Sequence, residues 1–123
     1  KKVYPNLEMK SKSMDTQRSL GELQEEIQNM NMAYTMKKVE NCFETAGDDN
    51  NSFINCVSKW KKILKKDTMK LELNCLFELE KLSKCLDSSS DEKKQEECRL
   101  DASKKVVSHL MNFQSDLEKN LNQ

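Results

Sequence analysis

At 123 residues the chain is the size of one domain, and its 21 basic and 21 acidic side chains cancel. That balance leaves no overall field to draw in nucleic acid or an anionic membrane. Mean hydropathy is −0.87, yet the zero net charge, single Pro and two Gly are not the composition of a disordered chain.

With so little Pro and Gly the chain is nearly free of helix breakers, and Lys, Glu, Leu, Met and Gln are all strong helix formers, so the expected class is all-α. No apolar run approaches the roughly 18 residues of a membrane span.

Residues 1–14, KKVYPNLEMKSKSM, hold the only Pro and no sustained period. They are expected as an extended lead-in to one helical domain over 15–123. A first helix is predicted from near Ser19, where Ser19 and Glu22 have capping-box spacing, or from Asp15.

Leu20, Leu23, Ile27, Met30 and Tyr34 make its apolar stripe. Met32, Met36, Val39 and Phe43 form a second stripe rotated from the first, which predicts contact with two neighbours. Gly47 is the expected helix stop, followed by Asp48, Asp49, Asn50 and Asn51 as turn and cap residues.

From Phe53 to Leu86 the apolar steps of three or four run unbroken, with only Thr68 polar. One long helix over about 52–86 is expected, or two if KKDT (65–68) turns at Asp67. The run DSSSDE (87–92) breaks the pattern again, with Ser89 and Glu92 in capping-box spacing.

A last helix follows from about 90 to 121, with Cys98, Ala102, Val106, Leu110, Phe113, Leu117 and Leu121 as its stripe. Short connections make sequential helices antiparallel neighbours. The expected architecture is an up-down-up bundle of three long helices, four if the second breaks.

The five cysteines decide the rest. Cys42 and Cys56 are equidistant from the first loop, and Cys85 and Cys98 from the second. In an antiparallel hairpin such residues sit at one height, within reach of a disulfide. Two staples are expected, one at each end of the bundle, with Cys75 unpaired on the buried stripe of the second helix.

Reduced core cysteines are the alternative. Metal ligation is disfavoured, because 13, 18, 9 and 12 residues separate successive cysteines and His109 is the only histidine. Four paired cysteines imply an oxidising compartment. Asn50, in the tripeptide NNS (50–52), is a candidate N-glycosylation site and points the same way.

The segment CLFELEKLSKC (75–85) resembles one half of the twin-C-x9-C helical hairpins of the mitochondrial intermembrane space. That resemblance implies a different pairing, Cys56–Cys75 with Cys42–Cys85. The other half departs from the pattern, with 13 residues between Cys42 and Cys56 and a fifth cysteine left over.

Phosphate loops and metalloprotease motifs are absent, and DDNNS lacks the Gly and Glu of a calcium loop. No catalytic residue, cofactor or metal is predicted. A Cys75/His109 nucleophilic pair would need a proximity that sequence does not supply.

SKWKKILKKDTMK (58–70) packs six lysines around Trp60, which suits a basic docking helix or, more simply, a core stripe with a solvated lysine face. Seven methionines fit an irregular core or a pliable ligand cavity.

The function expected is therefore non-enzymatic: a secreted, disulfide-stabilised helical structural or interaction protein that docks onto other proteins in an extracytoplasmic assembly, as a homo- or hetero-oligomer. The alternatives are a carrier of a small hydrophobic ligand in a Met-lined cavity, and an accessory subunit of a mitochondrial complex facing the intermembrane space.

Overall fold

Among the described residues two polar loops separate three helices, and each loop holds both the stop of one helix and the cap of the next. The computed structural model describes residues 16–122: α1 spans Thr16–Ala46, α2 Asn50–Asp87 and α3 Glu92–Leu121. The lead-in over 1–14 and the cap at Asp15 lie outside the described residues.

Gly47 closes α1 with φ 62°, a left-handed conformation open to glycine without steric cost. Its N–H donates to Phe43 O at 3.2 Å. Asp49 then caps α2, accepting from Asn51 N at 3.1 Å and from the Ser52 hydroxyl at 2.6 Å. The Ser52 hydroxyl is the main reason the exposed Asp49 carboxyl titrates below its usual range. Its stabilising contribution is full above the unfolded value and fades as pH falls through the lower folded one.

Neither Ser19 nor Ser89 is a helix N-cap, and of the two expected starts of α1 the earlier one agrees with a helix already formed at Thr16. α1 is already helical at Thr16, three residues before Ser19. Gln17 and Arg18 propagate a helix well, so nothing delays its start to Ser19. At α3 the cap is Asp91, whose carboxylate accepts from Lys93 N at 3.2 Å. Ser89 stands outside the helix and accepts from Asp91 N at 3.1 Å.

α2 does not break at KKDT. Thr68, the one polar residue in its stripe, accepts a hydrogen bond from Asn31 Nδ2 at 3.0 Å. A partner on α1 removes the reason for a turn.

α1 and α3 both pack mainly on α2, with lighter contact between themselves. α1 buries Leu23, Ile27, Met30 and Tyr34, and α2 buries Trp60, Leu71, Cys75, Leu79 and Leu82. All seven predicted stripe residues of α3, from Cys98 to Leu121, are buried.

The second stripe of α1 behaves otherwise: Val39 is half-buried, but Met32, Met36 and Phe43 are 64%, 68% and 66% exposed. With only three helices among the described residues, the face of α1 turned to α2 and α3 is covered and the opposite one is not.

Two polar contacts tie α1 to the end of α3. Tyr34 donates to Glu118 Oε2 at 2.8 Å. Lys38, buried with its ammonium over the Trp60 ring at 5.8 Å from the centroid, donates to Asn120 O and Leu121 O at 3.3 Å each. It satisfies carbonyls that the helix end leaves open, where the dipole favours a cation. Lys38→Met keeps the stem and removes the donor. Urea unfolding should then show a loss of about 1–2 kcal/mol.

Candidate functional site

Both predicted staples form. Cys42 and Cys56 have Cα atoms 5.7 Å apart at one end of the bundle, and Cys85 and Cys98 6.0 Å at the other. The pairing implied by the intermembrane-space resemblance is therefore not adopted. In a continuous α2, Cys56 and Cys75 share one straight helix and are nearly 30 Å apart at about 1.5 Å per residue.

Cys75 is the one free thiol, buried on the core side of α2. Burial, with Glu78 and Glu72 as lesser causes, pushes its pKa from an ordinary 9.0 up to about 12. A thiol held neutral at physiological pH is a poor nucleophile. Iodoacetamide at pH 8 should label Cys75 far more slowly in the folded chain than in urea. Folding stability should also decline between about pH 9 and 12, where the unfolded thiol ionises and the folded one does not.

His109 lies half-buried on the flank of α3, and its partner is a carboxylate. Its Nε2 is 3.4 Å from Oε2 of Glu78. Glu78 is itself buried, with Oε1 3.8 Å from Lys81 Nζ. Its place three residues after Cys75 puts it on the α2 stripe, a position sequence reasoning passed over because the residue is charged.

Lys38 was missed for the same reason. Among the described residues, no group of three or more His, Cys, Asp or Glu side chains is placed to hold a metal ion.

Two open grooves run between α2 and α3. The larger, about 370 Å³ at the Cys85–Cys98 end, is walled by Glu78, Lys81, Lys94, Glu97 and Asp101 over a floor that includes Leu82. The smaller, about 150 Å³, includes Asp67, Lys70, His109 and Asp116. Neither groove is lined by methionine. Met30 is fully buried, and Met32, Met36, Met69 and Met111 are surface residues.

Trp60 is core while Lys59, Lys61, Lys62, Lys65, Lys66 and Lys70 are exposed, so the lysine-rich stretch is a buried stripe with a solvated face. Asn50 is exposed but opens α2 rather than lying in the loop.

What stands out is apolar surface opposite the core. On α1 it is Met32, Met36 and Phe43, with Phe43 meeting Phe53 edge-on at 6.2 Å between centroids. On α2 it is Met69, Leu73, Leu76 and Phe77, which are 56%, 59%, 44% and 62% exposed. Single exposed apolar residues are ordinary; grouped at helical spacing, they mark contact surfaces.

Comparison with protein-family models, curated proteins and solved structures finds no match for this chain. Its own surfaces carry the functional argument.

Proposed function

We propose that this chain is a secreted, non-enzymatic interaction protein that docks onto other proteins through the outer faces of α1 and α2. The carrying observation is the pair of uncovered apolar rows, Met32–Met36–Phe43 and Met69–Leu73–Leu76–Phe77. A helix that needed only its core face would be polar on the opposite side.

Two disulfides support an oxidising compartment outside the cytoplasm. No helix among the described residues is long and apolar enough to cross a membrane. The exposed Asn50 is accessible for N-glycosylation, and a glycan there is part of this reading.

The test is retention of a specific partner from extracellular fluid by the immobilised, oxidised chain. Met36→Glu with Phe43→Glu, or Leu73→Glu with Phe77→Glu, should abolish retention while helicity is unchanged. Equal retention by the unmodified chain and both variants would sink the proposal. Endoglycosidase treatment of the natural product should lower its mass by one N-glycan, and Asn50→Gln should remove that shift.

A further inference from the structure

The outer face of α2 has a charge order that its apolar centre alone does not require. Lys59, Lys66, Leu73, Glu80 and Asp87 recur every seven residues, close to two helical turns, and so fall in one row along the helix. All five are exposed. The row is basic at its start, apolar at Leu73 and acidic at its end, over about 42 Å at about 1.5 Å per residue. Met69, Leu76 and Phe77 flank its middle.

We infer that this face binds a second copy of the same chain, with two α2 helices antiparallel across a two-fold axis at Leu73. This rests on the proposed role of the apolar helix faces and names the partner for one of them. Around that axis each residue meets the one equidistant from Leu73 on the partner. Lys66 then meets Glu80, Lys59 meets Asp87, Met69 meets Phe77, and Leu73 meets itself.

An isologous contact makes every pairing twice, so the dimer holds two Lys66–Glu80 and two Lys59–Asp87 pairs. A parallel arrangement would set Lys against Lys and Glu against Glu along the whole row. The charges therefore select the antiparallel one, as like-charge contacts do in paired helices.

An anionic lipid surface would suit the lysine half and repel the acidic half. A partner with the reversed charge order suits both, and this chain supplies one.

The contact is small. Four apolar side chains with a charged rim fall short of the roughly 800 Å² per partner of a standard interface. Lys62 and Lys84 also face each other in the flanking row, although Lys84 lies 3.7 Å from Glu80 of its own helix. The dimer is consequently weak and reversible, with a dissociation constant on the order of 10–100 µM, and it loosens as salt screens the rim.

Sedimentation equilibrium of the oxidised full chain, from micromolar to about 1 mM, tests this. The expected result is a monomer–dimer equilibrium. Glu80→Lys should weaken it about tenfold, and adding Lys66→Glu should bring it back by restoring opposite charges. Leu73→Glu should abolish it, with the circular dichroism of all variants unchanged because the positions are exposed.

A monomer throughout the range, or a charge swap that fails to restore association, would overturn the inference. If the chain is monomeric yet retains another protein through Leu73 and Phe77, the self-pairing fails and the docking function stands. If it is monomeric and retains nothing, both fail.

Discussion

Trp60→Ala should lower the free energy of unfolding by about 3–5 kcal/mol in a urea titration followed by helicity. Trp60 is 2% exposed and is the largest of the fully buried side chains. Its Nε1 donates to Thr35 Oγ1 at 3.0 Å, and the Lys38 ammonium that holds the end of α3 lies over its ring. Alanine leaves a cavity between α1 and α2 and takes away the surface against which Lys38 is held.

Trp60→Phe should cost less, since it keeps most of the volume but loses the indole donor. Met36→Ala, on the exposed row, should stay within about 0.5 kcal/mol. A loss below about 1 kcal/mol for Trp60→Ala would mean that the core around Trp60 is not packed as described.

The second large effect belongs to the staples. Each closes a loop of sequence separation 14 or 13, for which constraint of the unfolded chain is worth about 3 kcal/mol. Removing both should cost about 6 kcal/mol, comparable with the whole stability of many domains at roughly 5–15 kcal/mol. The reduced chain should therefore melt near or below physiological temperature, read by calorimetry with and without reductant.

The two staples are alike in one respect. Each has one buried member, Cys42 or Cys98, and one more exposed partner, Cys56 or Cys85. Serine in place of either pair leaves one hydroxyl at a buried position, and should cost about 1 kcal/mol more than alanine in place of the same pair. Equal losses for the serine and alanine pairs would contradict that burial.

The bundle and its staples were legible in the sequence for a geometric reason. Short loops at Gly47–Asp49 and Ser88–Asp91 force antiparallel hairpins, and cysteines equidistant from each loop then meet. The register of α3 was legible because one unbroken stripe leaves one choice of buried face.

The caps at Ser19 and Ser89 were misread because Ser-x-x-Glu spacing arises inside helices too, and Asp91 was a nearer competitor. The second stripe of α1 was read as a contact because sequence does not say which of two apolar faces a three-helix bundle will cover.

Glu78 and Lys38 were invisible for another reason. A charged residue is buried only when its partner arrives, and those partners are His109 and the end of α3, 31 and about 80 positions away. The exposed row of α2 was present in the sequence throughout, but its meaning depended on knowing that Leu71, Cys75 and Leu82 face inward.

The sheltered thiol of Cys75 has a consequence for how the protein fails. A third sulfur beside two disulfides is an internal reagent for exchange, and exchange proceeds through the thiolate. While the bundle is closed, the thiol stays neutral and shut away from both bridges. Once the chain opens, the same group returns to its ordinary acidity and can attack either one.

Opening in a medium that holds the bridges thus leads to scrambled pairings, and from those the native bundle is recovered only slowly. Working lifetime then follows the frequency of opening rather than the depth of the folded minimum. A cysteine that belongs to neither bridge sets how long the architecture lasts.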